Sequence, residues 1–298
     1  MRILLTGGAG QLGWELRRTL ASLGDVVATE RATLDLGDVA SVRRAVREVS
    51  PALIVNAAAY TMVDLAESEP ETAMAVNAAA PAILAEEAER LDAALVHFST
   101  DYVFSGDKPE PYTEDDTPRP LNVYGRSKLA GEEAIRSSGA RHLILRTSWA
   151  YGARGRNFLV TILRLARERD ELRVVDDQTG APTWTRTIAE ATAAIVSRSV
   201  PRRPADPSLF AGTGGVYHLT ARGATTFYGF AREILKGAPA VGVERVPRLV
   251  PITSAEYPLP TCRPMNSRLA GDKVRTAFGI ALPRWDDALR ACLDEMSR

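Results

Sequence analysis

Apolar residues along this chain alternate between two rhythms. Residues 2–6 predict a short strand around the apolar run Ile3-Leu4-Leu5, and Leu12, Leu16, Leu20 and Leu23 then recur every three or four positions. The first pattern suits a strand buried on both faces, the second one face of a helix. The alternation then repeats. Residues 25–29 predict a second strand, and Val39, Val42, Val46 and Val49 predict a second helix that Pro51 stops. A third strand is expected over 52–55. An Ala- and Glu-rich helix follows over 67–91, interrupted near Asn77 and Pro81. Residues 94–98 and 142–146 predict a fourth and a fifth strand, with a helix over 124–138 between them. Strands that alternate with helices predict a parallel sheet covered on both faces. The expected fold class is α/β, a Rossmann-type doubly wound parallel sheet.

After residue 152 the rhythm loosens. A basic helix is expected over 158–169, a short strand over 172–175, and a turn-rich segment at Gln178-Thr179-Gly180-Ala181-Pro182-Thr183. Another helix follows over 185–198. Residues 199–215, rich in Pro, Gly and Arg, suggest a surface linker before a strand over 216–220. Short elements with many prolines complete the chain. The expected partition is a dinucleotide-binding domain of residues 1–150 joined by 185–220. Residues 151–184 and 221–298 would form a smaller, interleaved C-terminal substrate lobe.

Polar chemistry clusters where the predicted strands end. Gly7-Gly8-Ala9-Gly10-Gln11-Leu12-Gly13 follows the first strand and opens a helix. Gly7 permits a tight turn, Gly10 lets backbone N–H groups approach a pyrophosphate, and Gly13 lets helix and strand pack closely. The second strand ends at Glu30-Arg31. Glu30 suits the ribose hydroxyls of NADH and Arg31 the 2′-phosphate of NADPH, so either cofactor fits. Asp35-Leu36 lies beside the adenine or forms a turn. Asn56-Ala57-Ala58-Ala59-Tyr60-Thr61 offers small side chains, either to a cofactor or to a close helix–sheet contact. Ser99-Thr100-Asp101 follows the fourth strand. Thr147-Ser148-Trp149 follows the fifth, with Trp149 either a core residue or a platform for a base or sugar. In an open parallel sheet these ends share one crevice, where ligands bind. Residues 105–121 form a long loop with Gly106 and several prolines and acids, a length that usually signals function.

Tyr124 and Lys128 are four residues apart on the helix over 124–138, so they share one face. A lysine ammonium beside a phenol favours the phenolate and lowers the tyrosine from its ordinary pKa of ~10. Such a tyrosine exchanges protons readily, and the Thr100 hydroxyl is placed to hold the same substrate oxygen.

Composition adds bounds. The chain has 298 residues, 45% of them hydrophobic and 25% charged, which is ordinary for a globular protein with an ample core. Lys plus Arg and Asp plus Glu number 37 each, so no overall field points to nucleic acid or a membrane. No apolar run approaches the ~20 residues of a membrane helix, and no secretory leader is expected. Cys262 and Cys292, the only cysteines, suggest no disulfide framework. A cytoplasmic protein fits all of this.

Taken together these residues resemble the extended short-chain dehydrogenase/reductase family over nearly the whole chain. Five segments in order carry the resemblance: Ser99 to Phe104, Leu121 to Gly125 with Lys128, Arg146 to Trp149, Gly180 to Thr183, and Arg263 to Ser267. Within that family they are similar to enzymes that reduce the 4-keto group of a dTDP-linked hexose with NADPH or NADH. The resemblance implies a small-molecule sugar nucleotide as partner and a monomer or homodimer. It implies that Gly7, Gly10, Gln11, Leu12 and Gly13 hold the cofactor pyrophosphate. Glu30, Asp35 and Leu36 would face the adenosine end, with Ala59, Tyr60 and Thr61 further along. Thr100, Tyr124 and Lys128 match the family's catalytic triad. Thr100, Asp101 and Trp149 would touch the sugar nucleotide, and Arg263, Asn266 and Ser267 its diphosphate.

Some relatives hold a divalent metal between interface carboxylates. Glu15 and Glu295 supply carboxylates here, but Arg186 stands where a further glutamate is expected, so no structural metal is expected. Two other activities compete. One is another sugar-nucleotide 4-ketoreductase or 4-epimerase. An epimerase would keep NAD tightly bound as a transient oxidant, and a reductase that also epimerises at neighbouring carbons would need an extra acid/base pair such as Cys with His. Both cysteines lie late in the chain, away from the motif segments, and His97, His142 and His218 fall within predicted strands. A dinucleotide-binding regulatory subunit can lose the catalytic residues, but Thr100, Tyr124 and Lys128 are present.

Overall fold

Six parallel strands run through the centre of the molecule: β1 (Arg2–Thr6), β2 (Asp25–Ala28), β3 (Leu53–Asn56), β4 (Ala94–Thr100), β5 (Arg141–Thr147) and β6 (Gly215–His218). The structure, a computed structural model, describes residues 1–200 and 208–297. The strand order is β6-β5-β4-β3-β1-β2. Connections leave β1 toward β2 on one side and then return to β3 on the other. That reversal opens a crevice at the carboxyl ends of β1 and β3.

Period-2 alternation assigns each strand residue to one of two cores. On one face, Ile3, Leu5, Val55, Val96, Phe98 and Leu145 pack against helices Gln11–Leu20, Thr185–Ser199 and Asp272–Phe278. On the other, Leu4, Ile54, Leu95 and Ile144 meet helices Val39–Val49, Ala80–Arg90 and Val123–Ser137. A third core lies outside the sheet. It joins helices Phe158–Glu168, Phe227–Gly237 and Trp285–Met296 through Leu159, Ile162, Phe230, Ile234 and Leu289.

Four differences from the sequence expectations have physical causes. Strand β4 continues to Thr100 because Ser99 and Thr100 still pair with Arg146 and Thr147 of β5. Pro81 breaks nothing: it lies in the first turn of helix Ala80–Arg90, where its missing N–H costs no bond. The interruption there is a wide turn over Ala75–Ala79 that contains Asn77. The strand Glu171–Val175 has a parallel partner, Arg248–Ile252, which sequence reasoning missed because Pro251 disguises it. The expected linker is not all surface, since Leu209 and Phe210 are buried in the first core; its residues 201–207 lie outside the described residues. Among the described residues, no helix is long and apolar enough to cross a membrane.

Candidate active site

The glycine turn after β1 is a cradle that no side chain can enter. Gly7 has φ of +73°, and a Cβ there would fall 2.7 Å from the Ala58 nitrogen. A Cβ on Gly13 would lie 2.0 Å from the Gly7 carbonyl oxygen. Gly10 caps helix Gln11–Leu20 without a side-chain hydrogen bond. First-turn N–H groups therefore have no side-chain acceptor, which suits an anionic pyrophosphate. The residues present fit a dinucleotide. Gln11 braces the rim, donating to Arg156 O at 3.1 Å and accepting from Asn157 Nδ2 at 2.8 Å. Leu12 packs against the first core.

The Glu30 and Arg31 side chains are both exposed past the end of β2. Asp35 Oδ1 accepts from the Gly37 N–H at 2.9 Å, so its carboxylate closes a turn, and the Leu36 side chain is buried in the second core. Past β3, Asn77 pins the backbone of Tyr60 from both sides. Its Oδ1 accepts from Tyr60 N at 2.9 Å and its Nδ2 donates to Tyr60 O at 3.0 Å. The Tyr60 hydroxyl donates to Glu69 at 2.8 Å, Ala59 is half-buried and Thr61 is exposed.

Asn122 starts the helix that carries Tyr124 and Lys128. Its side chain accepts from Gly125 N at 2.8 Å, and its Nδ2 donates to Cys262 O at 3.0 Å. Cys262 is thus brought beside the motif segments, a correction to the sequence expectation: distance along the chain did not predict distance in space. A Cβ on Gly125 would lie 2.2 Å from Tyr102 O, so the helix start sits flush on the turn Asp101–Val103. Tyr124 meets Tyr102 edge-on, with ring centroids 5.6 Å apart.

Thr100, at the end of β4, accepts from Tyr102 N at 3.1 Å and donates to Asp101 Oδ1 at 3.0 Å. Asp101 also accepts from Ser148 at 3.3 Å, and Ser267 bonds to it. Burial pushes the Asp101 carboxyl up to about 6, against the hydrogen bonds of Ser267, Thr100 and Ser148. Desolvation pushes the Tyr124 phenol up to about 12; a hydrogen bond with Thr100 opposes this and the charge of Asp101 adds to it. Lys128 is 1% exposed, and burial draws its amine down to about 8 while Glu132 holds it up.

This corrects the expectation that Lys128 makes Tyr124 acidic. The Lys128 amine turns inward, donating to Phe98 O at 2.7 Å and lying 3.1 Å from His97 Nε2. Burial, with Asp101, acts on Tyr124 instead and favours the protonated phenol.

Trp149 follows β5 with φ of +45°, a conformation rare for a bulky residue. Its ring stacks on Phe227 at 3.7 Å, and a Cβ on Gly180 would come within 2.4 Å of it. Across the cleft, Arg263 pairs with Asp64 at 2.9 Å and lines a cavity of about 390 Å³ with Asp107, Leu121, Gln178, Tyr257 and Cys262. Asn266 spends both amide protons on the loop 105–121, donating to Lys108 O at 2.6 Å and Glu110 O at 2.8 Å. Ser267 is buried, its backbone N–H donating to Thr179 O at 2.7 Å and its side chain beside Asp101.

The structure therefore brings Thr100, Asp101, Tyr124 and Ser267 together, with Lys128 one helical turn beneath. Sequence reasoning gave no site role to His97, Asn77 and Phe227, and placed Ser148 only within the strand-end segment 147–149. A polar Asn77 inside an apolar helical stretch was the one signal that pointed inward; Phe227 had none.

Apart from this cleft, Arg186 lies between two carboxylates, 3.1 Å from Glu15 and 2.8 Å from Glu295. Glu190 nearby is raised by burial, Arg186 opposing. Among the described residues, no group of three His, Cys, Asp or Glu is arranged to hold a metal.

Comparison with known proteins agrees with this geometry. A family model described as the RmlD substrate binding domain matches residues 1–298. The dTDP-4-dehydrorhamnose reductase of Burkholderia thailandensis is 46% identical, each chain covering 99% of the other. That of Escherichia coli is 43% identical over 99% of this chain and 98% of its own. The crystal structure of dTDP-4-dehydrorhamnose reductase from Bacillus anthracis in complex with NADP superposes with a TM-score of 0.89 at 33% identity, covering 99% of both chains. With a glycine cradle at β1, a Tyr124–Lys128 helix over β4 and full-length similarity of this kind, the chain belongs to the dTDP-4-dehydrorhamnose reductase family.

Proposed function

We propose that this chain reduces the 4-keto group of dTDP-4-dehydro-L-rhamnose to give dTDP-L-rhamnose, with NADPH or NADH as the reductant. The observation that carries the proposal is the buried Tyr124 phenol beside Thr100 and Asp101 at the end of β4, in the same sheet whose β1 ends in the glycine cradle. When bound, the nicotinamide supplies the hydride. Gly7, Gly10, Gln11, Leu12 and Gly13 hold the pyrophosphate. Glu30 and the backbone of the turn at Asp35 and Leu36 serve the adenosine end, and Ala59, Tyr60 and Thr61 the middle of the cofactor. Negative charge grows on the keto oxygen as its carbon is reduced, and donors aimed at that oxygen act most strongly there. Tyr124 gives it a proton and Thr100 a second hydrogen bond. A phenol held protonated suits a donor in the reductive direction better than a base. Lys128, as an ammonium, binds the nicotinamide ribose. Asp101 and Trp149 position the sugar and Arg263 the diphosphate, while Asn266 holds the loop 105–121 and Ser267 holds Asp101.

On this reading residues 1–150 with 185–220 bind the dinucleotide, and 151–184 with 221–298 bind the sugar nucleotide. The enzyme acts in the cytoplasm as a monomer or homodimer. A coupled assay tests the function. A dehydratase and an epimerase generate the keto sugar from dTDP-glucose; this protein is then added with NADPH or NADH. The expected result is cofactor oxidation that depends on this protein and yields dTDP-L-rhamnose. Cofactor binding without oxidation would sink the proposal.

A further inference from the structure

Lys128 is held from beneath by a chain of buried polar side chains that reaches the end of β1. Its amine donates to Phe98 O at 2.7 Å and lies 3.1 Å from His97 Nε2. The other ring nitrogen of His97 is 3.0 Å from Asn56 Nδ2, and Asn56 Oδ1 accepts from Thr6 Oγ1 at 2.6 Å. None of Thr6, Asn56, His97 and Lys128 is more than 1% exposed. Thr6, Asn56 and His97 stand on neighbouring strands, with Thr6 paired to Asn56 and Asn56 to His97 in the sheet register.

A neutral imidazole has one donor nitrogen and one acceptor nitrogen. Burial and the Lys128 charge keep His97 neutral. Two proton arrangements then satisfy the chain. With Asn56 Nδ2 toward the ring, Nδ1 accepts, Nε2 carries the proton, and Lys128 is a neutral amine. With the Asn56 amide turned over, Nδ1 donates, Nε2 accepts, and Lys128 is an ammonium. An ammonium at Lys128, which has no lone pair to accept with, therefore requires the second arrangement.

We propose that His97 is a positioning residue for Lys128: its bare Nε2 takes one ammonium proton, Phe98 O takes a second, and a third is left for the cofactor. The proposal rests on the role of Lys128 given above. The charged neighbours do not override it. Glu132, one turn further on the same helix, acts on Lys128 but is itself paired with Arg146 of β5. His218 of β6 lies near Arg146 and is held neutral, burial drawing it down to about 3. Asp101 and Tyr124 stand at the cleft end of β4. Strands β1 and β3 contribute only Thr6 and Asn56, and the turn Ala75–Ala79 contributes the uncharged Asn77, bonded to Ser127.

Two variants of the full-length protein separate positioning from packing. In H97Q the amide oxygen reaches the place of Nε2 and can accept from Lys128. In H97N the amide takes the place of Nδ1, keeps its contact with Asn56, and leaves Lys128 without that acceptor. Turnover of wild type is expected to fall as pH rises through about 8, where Lys128 loses its proton. H97Q should keep that midpoint within about half a pH unit. H97N should move it to lower pH by roughly one to two units, because an ammonium that loses an acceptor gives up its proton sooner. Equal midpoints in wild type, H97N and H97Q would overturn the proposal.

The same midpoint is read from the pH dependence of NADPH affinity, by fluorescence and without substrate. Failure of the reductase reading (wild type inert toward the keto sugar) is thus distinct from failure of the His97 proposal. Should H97N not fold, N56D decides. Its carboxylate accepts from Nδ1, enforces the ammonium arrangement, and should raise the midpoint by about one unit; an unmoved midpoint contradicts the proposal.

Discussion

Lys128 and Glu132 lie one turn apart on the same buried face of helix Val123–Ser137, yet they are treated in opposite ways. Glu132 is closed off. Arg146 grips it through Nε at 2.9 Å and Nη2 at 2.6 Å, with both side chains at most 3% exposed. The Phe104 ring lies 5.1 Å from the guanidinium and completes the packing. Lys128 is as deeply buried but meets neutral partners, Phe98 O and the His97 ring, with no carboxylate in contact among the described residues. A buried charge that serves structure is neutralised by its neighbour; one that serves chemistry keeps unspent capacity and a displaced pKa. On the proposed reading the first two turns of the helix form the reactive end and the third is its anchor.

Substitutions can break that division. Tyr124→Phe should lower turnover by about 10²–10⁴ while NADPH affinity stays near wild type, since only the proton donor is lost. Near-normal turnover would move the reactive end elsewhere. At the anchor, Glu132→Ala should cost about 3–5 kcal/mol in urea unfolding, because it strands a buried guanidinium. Replacing both partners, Glu132→Leu with Arg146→Met, should recover most of that loss. A double variant that folds well yet fails to turn over would place Glu132 in the site after all.

A third ion cluster sharpens the contrast from the surface side. Glu87 is buried beneath Arg47, Arg90 and Arg43, whose bonds, Arg47 foremost, outweigh desolvation and hold its carboxyl down to about 2 from 4.5. A lowered folded-state pKa means that its contribution is fully present above pH 4.5 and is lost as pH falls through about 2. Glu87→Gln should therefore cost on the order of 1.5–3 kcal/mol at pH 7 and much less near pH 2. Equal losses at both pH values would contradict an ionic role. The smallest effect is expected at Glu30. Glu30→Ala should shift preference toward NADPH by less than about tenfold, as the carboxylate is exposed and screened. No shift would mean that it faces away from the cofactor.

Much of this was legible in the chain itself, for reasons that differ by region. The βα half repeats one unit, so periodicity located its strands to within a residue or two, and the glycine cradle announced itself by spacing. Tyr124, Lys128 and Thr100 were visible because a helix face and a strand end constrain where they go. What stayed hidden depends on contacts between distant segments. His97 looks like any sheet residue until Lys128 is laid over it, and its partner Asn56 lies 41 residues away. Asn266 had the look of a ligand contact, but its amide closes the loop 105–121. The strand Arg248–Ile252 is defined by its partner, not by its own pattern. The inward turn of Lys128 followed from burial, which no local spacing encodes.

The most direct test of the central claim follows a label. The protein is given dTDP-4-dehydro-L-rhamnose and NADPH carrying deuterium at the transferable position, and the product is examined by NMR. The expected product is dTDP-L-rhamnose with deuterium bonded to C4 of the hexose. Deuterium at another carbon, or a sugar that remains unlabelled while NADPH is bound, would contradict it.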